Sequence, residues 1–393
     1  SGDLEWPRDR TPYLFTIVLV GQVASLLLSM HLANLISPKK MMLYAVLSQV
    51  LITFLSPSIA RISYWAFFVS RFAIGFAEGL VFSPVSAIAT RWFPPNERAS
   101  MVALYTSSFQ IAFGIAPFLV SIVCSSRSIF GGWPPAFYLF GLLGLLWSIE
   151  WLRVGSDDPS SNKYISEKEV VMLEQFMSPR HKHSNLRPPY AKMFTSPVMF
   201  AHIISMMAFY FTLGLVSSFL PLYFQERLQL SIKKNGLFTM IPFIAMIGMK
   251  NGIAFGMDAV KRRGHLGHTV AAKINQTTGC IGSSISLAVL LYFTDCTTPG
   301  LALIAMTCCC AFHSCCAIGF YASMLHICPP LTGVIASIVT CAGVIASGAS
   351  TALMGIYAES PNKYEHIFGL CILLNVLAGI IYLIWGTAEV QPW

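Results

Sequence analysis

Runs of about 20 predominantly apolar residues recur along the whole chain, and this recurrence restricts the fold more than any other feature of the sequence. An α-helix of that length crosses the hydrocarbon core of a bilayer, which is about 30 Å thick. Because backbone N–H and C=O groups find no water there, each run is predicted to form a helix, which satisfies those groups internally. The eleven predicted transmembrane helices cover residues 13–36, 41–60, 64–90, 100–124, 133–153, 198–224, 236–257, 270–293, 299–322, 331–357 and 365–386.

The composition supports a membrane protein and argues against a soluble one. Of the 393 residues, 55% are hydrophobic and 11% are charged, about half the charged share of an average soluble domain. A soluble fold could not bury that much apolar surface, so the surplus is expected to face lipid. The formal net charge is +8, but the basic residues lie mainly in short loops, as the positive-inside bias predicts. We therefore expect a multi-pass integral protein in a lipid bilayer, with no nucleic-acid partner.

One long polar stretch divides the predicted helices into two groups. We predict an N-terminal bundle of five helices over 1–153, a cytoplasmic linker over 154–197 and a C-terminal bundle of six helices over 198–393. Within the linker, Ser166 and Glu169 have the spacing of a capping box, which predicts the start of a short helix. We expect this amphipathic helix to lie laterally on the cytoplasmic face.

The third predicted helix carries two charges, Arg71 and Glu78. A charged side chain at the centre of a membrane helix costs about 2.5–3.5 kcal/mol on insertion scales, so each is a functional hypothesis by default. The two residues are seven positions apart, which is about 10.5 Å along one helix face and too far for a direct ion pair. Each side chain is therefore expected to have another partner, which could be another helix, water or a solute.

This helix and the loop after it carry a recognisable motif. Residues 63–100 resemble the fourth helix and following loop of the anion transporters related to sialin, the vesicular glutamate transporters and the type I sodium–phosphate cotransporters. These transporters form a branch of the major facilitator superfamily. The matching residues are Arg71, Gly75, Glu78, Gly79, Trp92, Pro94, Pro95, Glu97 and Arg98.

The resemblance implies an all-α, major facilitator-type fold of two six-helix bundles that moves an anion by alternating access. The pair Glu5-Trp6 falls where the family has a Trp just before its second helix, which implies that the usual first helix is absent from this chain. The implied solute is a small organic or inorganic anion, such as a sialic acid-like carboxylate or phosphate. The implied coupling ion is H⁺, with Na⁺ as the alternative, and the expected location is a lysosomal, vesicular or plasma membrane.

Arg71 is the first candidate for binding the anion, because a guanidinium presents a planar fork that pairs with carboxylate or phosphate. The alternative is a structural Arg that binds backbone carbonyls of a neighbouring helix. Glu78 is the candidate for proton coupling or gating, because a carboxyl group that can be neutral or charged can link proton and solute movement. Its alternative role is a hydrogen bond between helices.

Three residues in the second half complete the predicted site. In the vesicular glutamate transporters a substrate-associated Arg lies in the seventh helix, and an ungapped alignment puts Phe209 at that position, so the adjoining Tyr210 is a candidate substrate contact. Lys250 lies within an apolar run and could be an added anion contact, or its stem could reach the membrane surface or pair structurally. Asp258 resembles the acid of a facilitator gating loop, with helix ends or basic groups as its expected partners; the alternative is a solvated loop charge.

A second match lies in 131–154, where Gly141 and Gly144 are expected to permit close helix contact. Cys309 and His313 have the i, i+4 spacing of a metal edge, but small residues in a helix interface are the favoured interpretation, so no metal or cofactor is predicted. We predict a secondary anion transporter and not an enzyme. The rival hypothesis is a transport-inactive relative that serves as a binding or scaffold protein; the missing helix and the substitution of the family's motif over 323–329 favour it.

Overall fold

The computed structural model describes residues 11–32, 35–125, 132–175, 188–226, 229, 232–295, 297–357, 360 and 362–392, and all regular structure within these ranges is helical. The helices, in chain order, are α1 (Thr11–Leu32), α2 (Pro38–Ile62), α3 (Tyr64–Trp92), α4 (Arg98–Ser125), α5 (Pro134–Val154), α6 (Glu167–Glu174), α7 (Tyr190–Thr195), α8 (Pro197–Glu226), α9 (Ile232–Arg262), α10 (His268–Tyr292), α11 (Pro299–Cys316), α12 (Ala322–Ile327), α13 (Thr332–Ile356) and α14 (Lys363–Trp385). A π-helical turn, Ala317–Tyr321, joins α11 to α12.

Within the described residues, nine helices are long and apolar enough to cross a membrane. Two shorter apolar helical segments, Thr16–Ser29 within α1 and Ser100–Ala116 within α4, lie at two further predicted positions. The prediction of an all-α membrane protein is therefore confirmed. The number of eleven transmembrane helices, and the missing first helix, stay predictions, since Glu5-Trp6 lies outside the described residues.

Contacts between residues divide the chain into two units that differ from the predicted domains. The first unit comprises 1–94, 116–188 and 329–344, and the second comprises 95–115, 189–328 and 345–393. The first half of α4 thus packs with the second unit, and the start of α13 packs with the first. The predicted boundaries at 153 and 198 stay predictions.

Glycines determine how closely the helices of the first unit pack. A Cβ atom placed on Gly75 of α3 would lie 1.9 Å from the carbonyl oxygen of Val18 on α1, so only glycine permits this approach. On α5, a Cβ on Gly144 would lie 2.6 Å from the side chain of Val50 on α2, and one on Gly141 would meet the ring of Phe54. The close helix contact predicted for Gly141 and Gly144 is therefore confirmed.

Polar contacts fix the loops of the first unit. The carboxylate of Asp157 accepts a hydrogen bond of 2.7 Å from the backbone N–H of Lys39, in the first turn of α2. Such a contact satisfies one of the N–H groups that a helix start leaves unpaired. The indole of Trp92 donates to the carbonyl of Ser156 at 3.2 Å. As predicted, Ser166 caps α6, accepting a hydrogen bond of 3.3 Å from the N–H of Glu169.

The second unit has the larger core, formed mainly by α8, α9, α10, α11 and α14. Its fully buried side chains include Leu215, Phe224, Met246, Leu287 and Met306. Because these side chains lie on different helices, they hold the unit together through apolar packing.

Candidate functional site

Arg71 lies in α3 of the first unit and faces α2 and α5. Its Nη2 donates a hydrogen bond of 2.8 Å to the hydroxyl of Ser56 on α2. The guanidinium carbon lies 4.4 Å from the centre of the Phe67 ring and 5.7 Å from that of Phe137 on α5. Aromatic faces within about 6 Å attract a cation through the ring quadrupole. Arg71 is therefore held by aromatic rings and one hydroxyl.

The guanidinium of Arg71 keeps most of its hydrogen-bonding capacity unused. A guanidinium carries five N–H donors, and the buried Nε of Arg71 has no hydrogen-bond partner among the described residues. No carboxylate of the described residues forms an ion pair with the Arg71 guanidinium. A cation in this state can bind an oxyanion through two parallel N–H···O contacts without displacing an internal acid.

Glu78 lies at the midpoint of the candidate span Tyr64–Trp92, as the sequence predicted. It is only partly exposed, and no hydrogen bond or ion pair joins it to Arg71. Gly75 and Gly79, on either side of it in α3, contact α1 closely; a Cβ on Gly79 would meet the Ser25 hydroxyl at 2.1 Å. Glu78 therefore lies beside the tightly packed crossing of α1 and α3, where a change in its charge would affect the packing of both helices.

Lys250 lies in α9 of the second unit and is 1% exposed. Its Nζ donates hydrogen bonds of 2.9 Å to the hydroxyl of Thr106 and 2.9 Å to the amide oxygen of Gln110, both on α4. The next residue, Asn251, donates to the hydroxyl of Ser107 at 2.9 Å. The Lys250 amine, for which the sequence allowed several alternative roles, thus donates its hydrogen bonds to neutral side chains.

Asp258 lies two turns further along α9 and is 1% exposed. Its Oδ2 accepts a hydrogen bond of 2.6 Å from the backbone N–H of Ser100, in the first turn of α4, and its Oδ1 pairs with the ammonium of Lys261. Nearby, Arg262 and Glu97 approach to 3.4 Å. The two kinds of partner that the sequence predicted, a helix end and a basic group, are both present.

Tyr210 lies on α8 and is partly buried, with its ring 5.9 Å from that of Phe209. The Phe209 ring stacks on His313, at 4.5 Å between centroids and 7° between planes, and the Phe209 carbonyl lies 3.2 Å from Nε2 of His313. The His313 side chain is thus held in place by its contacts with the ring and the carbonyl of Phe209. No group of three His, Cys, Asp or Glu side chains in the described chain has metal-binding geometry.

The sequence reasoning missed the polar partners of the predicted residues. Gln110 was the most visible signal, because an amide in an apolar run needs a partner when buried. A second missed group is a buried series of hydrogen-bonded side chains formed by His202, Ser323 and Tyr382. Nε2 of His202 lies 3.0 Å from the Ser323 hydroxyl, and that hydroxyl contacts the Tyr382 hydroxyl.

Comparison with known proteins agrees with this helical architecture. The sequence pattern of the Major Facilitator Superfamily matches residues 1–351. The uncharacterized transporter slc-17.3 of Caenorhabditis elegans is 30% identical over 401 residues, covering 100% of this chain and 74% of its own. A Drosophila melanogaster protein named as a candidate inorganic phosphate cotransporter is 26% identical over 400 residues, covering 100% of this chain and 75% of its own.

Among solved structures, the proton:xylose symporter XylE superimposes with a TM-score of 0.77 over 98% of this chain and 89% of its own, at 14% identity, which is evidence for the fold alone. The family match and the relative at 30% identity indicate the same class of protein, and this superposition agrees with its fold. The chain therefore belongs to the Major Facilitator Superfamily, in the anion transporter branch whose motifs it carries, and it is a multi-pass membrane transporter and not an enzyme.

Proposed function

We propose that this protein is a secondary active transporter of small anions that works by alternating access and is coupled to H⁺. The coarser part, secondary transport of an anion, follows from membership of the family and from relatives that include a candidate inorganic phosphate cotransporter. The finer part concerns the solute, the coupling ion and the residues that bind them.

One observation carries the proposal: Arg71 is partly buried in a membrane-spanning helix without a carboxylate partner among the described residues. Removing a guanidinium from water is costly, and an ion that stays unpaired is more costly than a paired one. An anion that enters the membrane region would supply the missing charge, and the planar fork of Arg71 suits a carboxylate or a phosphate group.

The other predicted residues have supporting roles in this proposal. Glu78, at the middle of the same helix, changes its charge with the proton gradient. Tyr210 on α8 and Lys250 on α9 are the further candidate substrate contacts, which offer a hydroxyl and an amine. Asp258 gates through its contacts with Lys261 and the start of α4, because a charge at a helix end favours one arrangement of that end over another.

Uptake into proteoliposomes tests the proposal. The full chain is reconstituted with an inward proton gradient and offered radiolabelled phosphate, sialic acid, ascorbate or glutamate in separate assays. We expect gradient-dependent uptake of at least one anion, and its loss in Arg71→Ala. Arg153→Ala is the matched control, because this Arg is 64% exposed and pairs only with nearby Glu150 at 2.9 Å among the described residues. Absence of uptake under every gradient would support the scaffold hypothesis instead.

A further inference from the structure

Lys250 occupies the middle of a membrane-spanning helix. It is twelve residues from each end of the candidate span Phe238–Arg262. Those twelve residues correspond to about 18 Å of helix in either direction. A lysine stem, with four methylene groups, cannot reach a membrane surface over that distance. The interpretation that its amine reaches the surface is therefore excluded.

The amine has two neutral hydrogen-bond acceptors and one unused donor. An ammonium group carries three N–H donors, and two of them are directed to Thr106 and Gln110 at 2.9 Å each. Neither acceptor carries a negative charge, so the hydrogen bonds do not compensate the charge of an ammonium ion. The third N–H remains for a partner that the described residues do not provide.

The charged and titratable groups around α9 have other partners. On its own helix, Asp258 pairs with Lys261 and with α4. On the elements packed against it, carboxylates pair elsewhere, and the imidazoles and phenols lie against other side chains or the backbone. These pairings are Glu97 with Arg262, Glu226 with Lys363, Arg98 with the Leu325 carbonyl, His202 with Ser323, His268 with the His326 ring, His313 with the Phe209 carbonyl, Tyr105 with the Tyr321 ring, Tyr210 with the Phe209 ring and Tyr223 with the Tyr364 ring. The thiols of Cys309 and Cys310 on α11 are buried in the apolar core of the second unit.

We propose that Lys250 binds a proton and the transported anion together. This inference rests on the proposed function, because it assumes that an anion crosses the membrane. An ammonium ion at this position has no counter-ion among the described residues, and a neutral amine has no charge with which to attract an anion. Each ligand therefore favours the binding of the other, and this mutual effect is reciprocal by thermodynamic necessity. The reaction is a proton transfer to the Lys250 amine, with no covalent bond to the solute.

This arrangement separates two proton-dependent events. Protonation of Lys250 is linked to anion binding and so affects the apparent KM of transport. Protonation of Glu78, which lies in the first unit, is proposed to affect the conformational step and so the maximal rate. The two residues are therefore distinguishable by the kinetic parameter that each one makes dependent on pH.

The test measures KM and maximal rate of uptake in proteoliposomes between about pH 5.5 and pH 7.5, with the best transported of the four probe anions. For the wild type, one linked proton predicts a KM that falls by up to about tenfold for each unit of decreasing pH. Lys250→Arg carries a permanent charge at this position. After correction for ionisation of the free anion, the KM of this variant is expected to change by less than about twofold across the same pH range. Glu78→Gln should keep the pH dependence of the wild-type KM.

A second variant gives an independent result if Lys250→Arg does not fold, which size-exclusion chromatography in detergent would reveal. Gln110→Glu places a carboxylate within 2.9 Å of the amine, where it pairs with the ammonium and competes with the solute. We expect a KM raised by at least about tenfold, as for the loss of one charged contact of about 1.4 kcal/mol. Gln110→Met controls for loss of the amide.

The outcomes separate this inference from the function on which it rests. An unchanged pH dependence of KM in Lys250→Arg, or an unchanged KM in Gln110→Glu, overturns the role of Lys250 and leaves anion transport intact. If the wild type takes up none of the four anions, the proposed function fails and this inference fails with it.

Discussion

The carboxylate of Asp258 caps the start of α4, with its Oδ2 2.6 Å from the backbone nitrogen of Ser100. The first N–H groups of a helix have no partner within the helix, and the helix dipole favours a negative charge there. Because Asp258 lies near the end of α9 and is 1% exposed, this contact joins two helix ends in a dry environment. Lys261, 7% exposed at its side chain, supplies the compensating positive charge.

Asp258→Asn is expected to destabilise the protein strongly. The amide oxygen can still accept the Ser100 N–H, but the ammonium of Lys261 is left buried without a counter-ion, and such a change costs about 3–5 kcal/mol. Thermal unfolding in detergent, followed by tryptophan fluorescence, measures the effect. The matched control is Glu97→Gln, which removes an exposed pair with Arg262 at 3.4 Å and should cost below about 1 kcal/mol. Equal shifts in the two variants would contradict the assigned importance of Asp258.

Arg71→Lys tests the geometry of the guanidinium and not only its charge. Lysine keeps the positive charge but loses the planar fork and the stacking on Phe67, whose ring centre lies 4.4 Å away. We expect the KM for the transported anion to rise by about tenfold, because a second N–H···O contact is worth on the order of 1 kcal/mol or more. Uptake kinetics measure it, and an unchanged KM would show that only the charge matters.

Gly75→Ala tests the close approach of α1 and α3. The new Cβ would lie 1.9 Å from the carbonyl oxygen of Val18, so the two backbones must separate. Forcing extra volume into a packed interface costs about 1–3 kcal/mol, and the unfolding temperature should fall accordingly. Gly248→Ala is the control, because a Cβ there meets no atom within 4 Å. Alanine also favours a helix, so the control should be neutral or slightly stabilising.

The sequence predicted well those features that depend on one helix alone. The position of Glu78 at mid-span follows from the length of its apolar run, and the cap at Ser166 follows from local spacing. The close contacts of Gly141 followed from residue size, although their partner, Phe54, did not. Periodicity gives the residues that share a helix face, and it carries no information on which other helix covers that face.

The partners in the candidate site required the three-dimensional structure. Thr106 and Gln110 are 144 and 140 residues away from Lys250 in the chain, and the Ser56 hydroxyl that binds Arg71 belongs to another helix. For Asp258, the predicted classes of partner, a basic group and a helix end, were correct, because a buried carboxylate requires such partners. The sequence could not indicate that the helix end is that of α4.

An ion pair between α8 and α14, outside the apolar span, makes the stability of the protein depend on pH. Glu226 lies 2.7 Å from the ammonium of Lys363 and accepts a hydrogen bond of 2.7 Å from the hydroxyl of Tyr364. Partial burial alone would raise the pKa of Glu226, but the hydrogen bonds from Lys363 and Tyr364 outweigh it and hold that pKa below its usual range. The folded protein therefore binds this proton less tightly than the unfolded chain does.

A folded pKa below the unfolded value of about 4.3 means that the pair stabilises the protein above that pH and loses its effect as the pH falls through the folded pKa. Glu226→Gln should thus lower the free energy of unfolding slightly at neutral pH, with a corresponding small fall in unfolding temperature. The loss should be less than about 1 kcal/mol, because the Glu226 side chain is 38% exposed. The difference between wild type and variant should shrink as the pH falls below the unfolded pKa and disappear once the pH is below the folded pKa. Unfolding scans across this range, in low salt, measure it; a difference that grows towards acid pH would mean that Glu226 is destabilising as an anion.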